Sequence, residues 1–416
     1  MVANTPKIRF KGFADAWKWR KLSDLCVSLE YGLNAAAKEF DGKNKYIRIT
    51  DIDDTSREFS LADLSSPDIC LEGMSKYLLL NGDIVFARTG ASVGKTYIYK
   101  EKDGVVYFAG FLIRAKINQD NDAEFVFQST LSANYEKYIR ITSQRSGQPG
   151  VNAQEYGGYP LLVPRKEEQQ KIGYFLRGLD HLINLHQRKC DEAKELKKYM
   201  LQKMFPQNGK KIPKIRFAGF TDDWEQHKLG EAGQTYTGLS GKTKEDFGHG
   251  QARFVTYMNV FSNPVSDPEM TEPIEIDPRQ NEVQVGDVFF TTSSETPEEV
   301  GMSSVLLEKQ GTTYLNSFCF GFRPTEQFDS YFLAYMLRSE PIREQIILLA
   351  QGISRYNISK NKVMEITVSV PSLNEQRYVG KYFRNLDYLI TLHQRKFDEL
   401  KEVKKFMLQN MFPQKG

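Results

Sequence analysis

The sequence has few cysteines, and their arrangement does not suggest a metal site. The four are Cys26, Cys70, Cys190 and Cys319, and none belongs to a Cys-x-x-Cys pair. A disulfide framework or a zinc site would be expected to recur with the internal repeat described below, and no cysteine does. We therefore expect reduced, structural thiols in a cytoplasmic protein.

Long apolar runs are also missing. No run approaches the roughly 20 residues that cross a bilayer, and residues 1–6 lack the apolar core of a signal peptide. The net charge of +3 permits a nucleic-acid partner without demanding one, because local basic patches matter more than the total. The hydrophobic content of 40% is ordinary for a globular protein.

A convincing catalytic signature is absent as well. The sequence has no Gly-x-Ser-x-Gly and no His-Glu-x-x-His. The segment Thr89–Thr96 is similar to a phosphate-binding P-loop, but three residues separate Gly90 from Gly94 where the motif requires four. The corresponding segment Ser293–Met302 has no lysine and contains three acids. A nucleotide-dependent enzyme is therefore disfavoured, although ATP binding by the chain would revive that hypothesis.

What the sequence does contain is a tandem repeat. Pro6–Trp17 returns as Pro213–Trp224, 207 positions later, and Leu185–Lys189 returns as Leu392–Lys396 at the same spacing. Met204–Gln207 likewise returns as residues 411–414. One spacing fits both ends of the unit, whereas the long middle matches poorly. Self-similarity of this kind indicates a duplicated module, here a constant frame that carries two different inserts.

The matching C-terminal part of each copy is predicted to be a long helix, from about residue 167 to 204 and from about 374 to 411. Apolar residues recur close to every 3.5 positions in each, and the helices stop at Pro206 and Pro413. Seams of this length most simply pack on each other. His186 and His393 lie on the seams, and we interpret them as packed or interfacial rather than metal-binding.

The variable parts, about 20–163 and 228–370, read as two mixed α/β domains of one fold. Alternating residues predict strands at 46–53 and 254–260. Turn-then-strand patterns occur at 82–88 and 286–292, and helical stretches occur near 125–141 and 328–349.

Two kinds of segment are candidates for nucleic-acid contact. The basic stretch Lys194–Arg216 is either a solvated helix end or a phosphate-contacting surface. The loops Gln144–Asn152 and Gln351–Ser359 carry arginine, glutamine and asparagine, the side chains that read guanine and adenine edges. Polar loops of this composition are also common without any such role, so both interpretations stay open.

Together these features resemble the specificity subunit of type I restriction–modification systems. The resemblance rests on the duplicated frame, the Glu-Gln pairs Glu168–Gln169 and Glu375–Gln376 that follow Pro164 and Pro371, the Gly-Asp-Ile/Val strands and the Leu-Asp-x-x-Ile heptads. It covers essentially the whole chain. Each motif is weak alone, but their order, duplication and spacing are specific.

The resemblance implies an α+β fold with two similar mixed α/β target recognition domains, residues 1–163 and 208–370. Two long antiparallel, coiled-coil-like helices, residues 164–207 and 371–416, would separate them in a pseudo-two-fold symmetric tandem repeat. Each domain would read one half of a split target in double-stranded DNA. The helices would dock two methyltransferase subunits, and restriction subunits would complete the complex. No cofactor, metal or membrane is expected for this chain; S-adenosylmethionine, ATP and magnesium would belong to the partner subunits.

Loop position and residue chemistry give the candidate site residues. Basic side chains are expected to anchor phosphates, and amides and arginines to read bases. The DNA-binding candidates are Arg88, Thr89, Ser92, Lys95, Gln144, Arg145 and Gln148 in the first domain and Thr292, Ser293, Ser294, Gln351, Ser354, Arg355, Asn357 and Lys360 in the second. The partner-interface candidates are Glu168, Gln169, His186, Arg188, Glu375, Gln376, His393 and Arg395. No catalytic residue is expected.

A competing hypothesis is a coiled-coil scaffold without DNA specificity. Such a scaffold gives no reason for two diverged, loop-rich domains between constant segments. The repeat also predicts that the two ends of the chain lie close together, because residues 6–10 can follow the second copy as residues 213–217 follow the first. We therefore expect the chain to tolerate circular permutation.

Overall fold

A computed structural model describes residues 5–207 and 209–413. Gln414, the last residue of the second repeat signature, lies outside these ranges. The chain forms two compact units. Among the described residues, the first unit contains 5–188 and 394–413, and the second contains 189–207 and 209–393. Each unit therefore takes part of both long helices.

The first copy of the repeat contains ten strands and five α-helices among its described residues. The strands are β1 (Lys18–Lys21), β2 (Cys26–Tyr31), β3 (Ala37–Glu39), β4 (Lys45–Ile47), β5 (Ser65–Pro67), β6 (Ile84–Ala87), β7 (Thr96–Ile98), β8 (Val106–Phe108), β9 (Leu112–Ile117) and β10 (Pro160–Val163). The helices are α1 (Leu22–Leu25), α2 (Ala123–Ser129), α3 (Ala133–Thr142), α4 (Ala153–Gly157) and α5 (Lys166–Lys203).

The second copy follows the same plan. Its strands are β11 (Glu225–Lys228), β12 (Gly233–Thr237), β13 (Phe247–Val255), β14 (Thr271–Ile274), β15 (Val288–Thr291), β16 (Ser293–Ser294), β17 (Ser303–Val305), β18 (Thr313–Leu315), β19 (Cys319–Pro324), β20 (Tyr356–Asn357) and β21 (Thr367–Val370). Its helices are α6 (Tyr257–Ser262), α7 (Ser330–Met336), α8 (Glu340–Leu348), α9 (Lys360–Met364) and α10 (Leu373–Met411).

The sheets show that both copies have one fold. The main sheet has the order β2-β9-β6-β7 in the first and β12-β19-β15-β17 in the second, and every pairing in it is antiparallel. Each copy also pairs one strand in parallel, β4 with β8 and β13 with β18. This matching topology confirms the predicted pair of mixed α/β domains.

Two predicted strands end earlier than the alternation suggested. β4 ends at Ile47 because the Asp51 carboxylate turns the chain by accepting bonds from the Arg48 backbone N–H (2.9 Å) and guanidinium (2.8 and 2.9 Å). β13 ends at Val255 because the Thr256 hydroxyl caps the start of α6. Side-chain capping of this kind competes with strand pairing.

The predicted helical stretches are each two helices. The stretch 125–141 is divided into α2 and α3, and 328–349 into α7 and α8. Asp122 and Asp329 cap the first helix of each pair, accepting from the N–H of Phe125 (2.8 Å) and Phe332 (2.9 Å). An aspartate at this position satisfies a backbone donor that the helix leaves unpaired.

The long helices run antiparallel within each unit, as predicted. In the first unit Lys404 forms an ion pair with Asp180, and Leu400 and Met407 pack against the cluster that contains Leu176. In the second unit the Lys197 ammonium lies 2.5 Å from the Asp387 carboxylate. There the Cys190 thiol donates to the Ile390 carbonyl (3.7 Å), so higher numbers on one helix meet lower numbers on the other. None of the described helices is both long and apolar enough to cross a membrane.

The segments at the start of each copy, residues 6–17 and 213–224, are named the leading segments here. Each closes onto the end of one long helix: the Ile8 N–H donates to the Asn410 carbonyl (3.0 Å), and the Ile215 N–H donates to the Lys203 carbonyl (2.9 Å). The two bonds are equivalent at the 207-residue spacing. The first therefore joins the two ends of the described chain in the way that continuous backbone joins the copies.

Candidate nucleic-acid interface

The structure brings the two predicted polar segments together in each domain. In the first, the Gly90 N–H donates to the Pro149 carbonyl (3.0 Å) and the Val151 N–H to the Arg88 carbonyl (2.9 Å). In the second, the Ile358 N–H donates to the Thr292 carbonyl (2.9 Å), and β16 pairs with β20. The segment after the central strand and the loop before the long helix thus form one surface, although more than 50 residues separate them in sequence.

Arg88 occupies a distinctive position at the end of β6. Its guanidinium carbon lies 5.1 Å from the ring centroid of Tyr31 and 5.8 Å from that of Phe111, distances typical of cation–π contacts. Its Nε is buried and has no hydrogen-bond partner. Tyr31 and Phe111 are 45% and 57% exposed, so this stack lies at the surface.

The stack borders a cleft of about 590 Å³. Asn34, Arg48, Thr50, Ala109 and Gly110 also line it. Sequence reasoning missed Tyr31, Asn34, Arg48 and Phe111, because sheet pairing brings them together from three separate segments. The sequence gives one signal for this site, because Phe318 lies 207 positions after Phe111. In the structure both rings are 57% exposed.

The P-loop-like segment is a closed turn. Gly94 has φ +86°, its N–H donates to the Tyr156 hydroxyl (3.0 Å), and its carbonyl accepts from the Tyr135 hydroxyl (3.0 Å). The Lys95 ammonium is 3.0 Å from the Ile52 carbonyl and 2.5 Å from the Asp54 carboxylate. The Gly94 N–H and the Lys95 ammonium, which would bind a phosphate in a P-loop, are therefore already bonded within the chain. Lys95 is only 8% exposed, so its prediction as a projecting DNA contact is corrected.

Ser92 lies in a different cleft from Arg88. This second cleft of the first unit has a volume of about 800 Å³ and a predominantly basic rim. Its basic side chains are Arg57, Lys95, Arg140, Lys401, Lys404 and Lys405. Lys95 and Lys404 are already paired with Asp54 and Asp180. The predicted residues of the first domain therefore divide between two surfaces.

The loop before the first long helix is exposed, but its arginine, Arg145, is bonded to other residues of the same domain. Arg145 donates to both oxygens of Glu155 (2.6 and 2.7 Å) and to the carbonyls of Thr142 and Gln144 (2.8 Å each). These bonds hold the loop, but Arg145 is exposed, so its role as a DNA contact stays a prediction. Gln144 and Gln148 are exposed, and Thr89 is half-buried in the bridge to Gly150.

In the second domain two predicted contacts are buried. Ser293 and Ser294 are 5% and 6% exposed because they form β16, so their prediction as surface contacts is corrected. The Arg355 Nε donates to the Ser293 hydroxyl (2.8 Å), and the Thr292 hydroxyl donates to the Phe318 carbonyl (2.9 Å). The remaining candidates are at the surface: Gln351, Ser354, Arg355 and Asn357 are exposed and Lys360 is half-buried.

Four of the eight partner-interface candidates hold the chain's own fold. Glu168, Gln169, Glu375 and Gln376 are between 1% and 3% exposed. Arg9 donates to both Glu168 oxygens (2.6 and 2.8 Å), and Gln169 accepts from the Asp122 N–H (2.9 Å).

The second copy repeats these contacts. Arg216 donates to both Glu375 oxygens (2.7 and 2.8 Å), and Gln376 accepts from the Asp329 N–H (3.0 Å). The expectation that these four residues meet a partner is corrected, because their side chains are used inside the chain. Arg188 and Arg395 are exposed and His186 and His393 half-buried.

The described residues contain no group of three or more histidine, cysteine or acidic side chains that could hold a metal ion. None of the four cysteines, all of them within the described ranges, is in a disulfide, and burial raises the pKa of Cys26 to about 12. Cys190 and Cys319 are buried, whereas Cys70 is exposed. The polar surfaces above are suited to contacts with bases and phosphates.

Fold and site together define a class: a tandem-repeat protein in which two similar domains present different polar loops from one shared frame. A sequence profile described as the type I restriction modification DNA specificity domain matches residues 14–195 and 221–402. The chain belongs to this family. It is thus a DNA-specificity protein of a type I restriction–modification system, a role that is not itself catalytic.

Known relatives agree along nearly the whole chain. A putative type I restriction enzyme MjaX specificity subunit from Methanocaldococcus jannaschii is 23% identical, over 97% of this chain and 94% of its own. The MjaVIII specificity subunit of the same organism is 22% identical, over 80% and 78%.

Solved structures share the fold. The type I restriction–modification S subunit from M. genitalium is similar with a TM-score of 0.63 and 14% identity, covering 99% of this chain and 100% of that one. A structure from work on complex assembly and conformational transition of the type I system has a TM-score of 0.50 and 17% identity, with 94% and 96% covered. The family match also favours DNA recognition over a scaffold without specificity.

Proposed function

We propose that the chain reads a split DNA target, with one domain for each half-site, and directs adenine methylation and restriction to it. The proposed recognition domains are residues 1–163 and 208–370, and the proposed spacers are residues 164–207 and 371–416. Tandem related domains suit a target in two parts, since repeated readers contact successive sites on a duplex. Because the two surfaces differ in sequence, the two half-sites should differ.

The observation that carries the proposal is the contrast between frame and loops. The Arg9–Glu168 pair recurs as Arg216–Glu375 with the same bidentate geometry. At the end of the central strand, in contrast, Arg88 is replaced by Thr292. A protein that only joined others would have no need to keep one and vary the other.

The proposed DNA surface keeps those predicted residues that the structure leaves accessible. In the first domain these are Arg88, Thr89, Ser92, Gln144, Arg145 and Gln148, and in the second Thr292, Gln351, Ser354, Arg355, Asn357 and Lys360. Basic members would anchor phosphates and make binding fall with salt, whereas amides and arginines would read base edges.

For the partners, we propose that two methyltransferase subunits dock on the long helices and that restriction subunits join them. His186, Arg188, His393 and Arg395 remain the candidates for this contact. S-adenosylmethionine, ATP and magnesium would then be bound by those partners, and the assembly would act in the cytoplasm.

Methylome sequencing tests the proposal directly. Cells lacking other adenine methyltransferases would receive this chain together with its methyltransferase, and matched cells the methyltransferase alone. The expected result is a split motif with modified adenines that depends on the chain. The absence of any chain-dependent motif, with both proteins expressed and associated, would refute it.

A further inference from the structure

We infer that Arg88 reads a guanine of the first half-site, donating to O6 and N7 from the aromatic cleft between Tyr31 and Phe111. This inference rests on the proposed DNA recognition and deepens it, because it assigns a base to one side chain.

The two arginines of the cleft, Arg88 and Arg48, differ in their partners. Among residues 5–207 and 209–413, no acceptor bonds the Arg88 side chain, and its Nε is buried without a partner. The other arginine in the cleft, Arg48, is neutralised by Asp51 through bonds of 2.9 and 2.8 Å. A desolvated donor without a partner costs free energy. The buried Nε is out of reach, but Arg88 as a whole is half-buried, so an acceptor from outside the chain can bond the terminal N–H groups that no acceptor among the described residues uses.

The contacts with two rings restrict where the Arg88 guanidinium can lie. Its carbon is within 6 Å of the ring centroids of Tyr31 and Phe111, and contacts of this kind do not use the N–H donors. Guanine presents two in-plane acceptors, O6 and N7, in the major groove, and arginine binds them with two parallel bonds. A phosphate contact needs no such fixed plane, and a flexible exposed lysine suffices for it. The rings are therefore better explained as orienting a base-reading arginine.

The second domain has a different residue at the position of Arg88. The Arg88 N–H donates to the Phe111 carbonyl (3.0 Å), and the Thr292 N–H donates to the Phe318 carbonyl (2.9 Å), so these positions are equivalent. The N–H groups of Gly32 and Gly238 donate to the carbonyls of Leu112 and Cys319, so Thr237 is the counterpart of Tyr31 in the second domain. One exposed aromatic ring is thus kept in both copies. The arginine and the second ring occur only in the first domain, as expected if they read a base particular to its half-site.

The experiment selects duplex DNA from a randomised pool with the full chain in complex with its methyltransferase. Wild type is compared with Arg88→Ala, Arg88→Lys and Arg20→Ala. Arg20→Ala is the matched control, because it removes an exposed arginine of the same domain that does not line the cleft. Hydrogen exchange on each variant verifies that the first unit stays folded.

We expect the wild-type complex to prefer guanine at one position of one half-site by about 5–150-fold, the range for a good bidentate pair. Arg88→Ala should abolish the preference at that position alone, and Arg88→Lys should not restore it. Arg20→Ala should retain it. Replacing that guanine with 7-deazaguanine, which lacks N7 and still pairs with cytosine, should weaken wild-type binding and leave Arg88→Ala binding unchanged.

Other outcomes would show that Arg88 does not read a base, or that the chain does not recognise a split target. If Arg88→Ala weakens binding equally on every sequence, Arg88 is a phosphate anchor and the inference is wrong. If the motif of Arg88→Ala is identical to that of wild type, Arg88 does not read DNA and the inference is also wrong. If the wild-type complex selects no split motif, the proposed function itself fails.

Discussion

The two copies of the repeat agree most closely where a buried charge holds the chain. Arg9 and Glu168 are joined by bonds of 2.6 and 2.8 Å, and Arg216 and Glu375 by bonds of 2.7 and 2.8 Å. Both glutamates are 1% exposed. A carboxylate removed from water must keep its partner, since neither residue can change alone without leaving an uncompensated charge. This requirement explains why the leading segments still match.

The main sheets show a looser agreement. Each has a buried aspartate, Asp83 or Asp287, at the start of its central strand. Arg114 approaches Asp83 at 3.5 Å, and burial raises the pKa of that carboxyl. Arg323 bonds Asp287 at 2.7 and 2.8 Å.

The countercharge has moved two residues along the strand. In the first copy Arg114 lies opposite Glu30, whereas in the second Gly321 lies opposite Tyr236. A Cβ at Gly321 would stand 2.1 Å from the Tyr236 ring, so glycine makes room for tyrosine. Both copies thus keep a buried aspartate beside an arginine, but the arginine comes from a different position of the neighbouring strand in each copy.

The largest expected effect tests the leading-segment ion pair. Glu168→Ala and Glu375→Ala should each lower the free energy of unfolding by about 3–5 kcal/mol, because each leaves a mostly buried arginine unpaired. Hydrogen exchange should place the first loss in the first unit and the second loss in the second. The exposed neighbours give controls, and Glu167→Ala and Asn374→Ala should change stability by less than about 0.5 kcal/mol. Markedly unequal losses would contradict an equivalent frame.

The second prediction concerns a turn that both copies retain within otherwise different loops. Gly94 (φ +86°) and Gly301 (φ +65°) face Ile139 and Ile346, and a Cβ would stand 2.6 and 2.7 Å from those side chains. Alanine should cost about 1–2 kcal/mol for the left-handed backbone and about 1–3 kcal/mol for overpacking. Urea unfolding of the two variants should give similar losses. A neutral Gly301→Ala would show that only the first domain needs the turn.

A third prediction separates the two reading surfaces. Arg355 lies beside Ser293 at the surface of the second domain, so Arg355→Ala should alter preference in the second half-site only. The expected loss is about 1–3 kcal/mol of discrimination at one position, measured by the same selection from randomised duplexes. Arg88→Ala provides the reciprocal control. An effect of Arg355→Ala on the first half-site would break the assignment of one domain to each half-site.

The fourth prediction uses pH to distinguish the sheets. A bond from the Ser28 hydroxyl, and then Arg114, lower the pKa of Glu30 below its ordinary value of 4.5. The folded state therefore holds this proton less tightly than the unfolded state. The resulting stability is present above about pH 4.5 and is lost as pH falls through the lower folded pKa.

Glu30→Gln should flatten that part of the pH profile by less than about 1 kcal/mol, because the carboxylate is 43% exposed. Acid unfolding followed by hydrogen exchange would resolve the first unit. Tyr236, which replaces Glu30 in the second copy, has a pKa raised by burial and stays neutral throughout this range. A Glu30-dependent change in the second unit would contradict this comparison.

The smallest expected effect is that of circular permutation. In the permuted chain the end of the second copy is linked to residue 6, and new termini are made between the two copies. The free energy of unfolding should stay nearly unchanged, because the Ile8–Asn410 and Ile215–Lys203 bonds are equivalent. The wild-type chain is the reference, and thermal unfolding is the measurement. Opening the chain inside β6 instead should prevent folding, since β6 is fully buried.

Much of the architecture could be predicted from the sequence. The spacing of 207 residues gave the duplication, and the apolar seams gave both long helices to within about a residue of their observed ends. The site was predicted less well. Lys95, Ser293 and Ser294 have the chemistry of DNA contacts, but the fold buries them. Lys95 is bonded to the Ile52 carbonyl and the Asp54 carboxylate, and the two serines pair with β20.

The sequence by itself therefore determined what repeats: the helix periodicity, the leading segments and the family. These are local or periodic signals, which can be recognised in the sequence without knowledge of the fold. Only the tertiary structure decided which polar side chains remain available. Arg88 lies beside Tyr31 of β2 and Phe111 of the turn before β9, and Arg145 is bonded to Glu155. These contacts depend on neighbours that the chain brings together only when it folds.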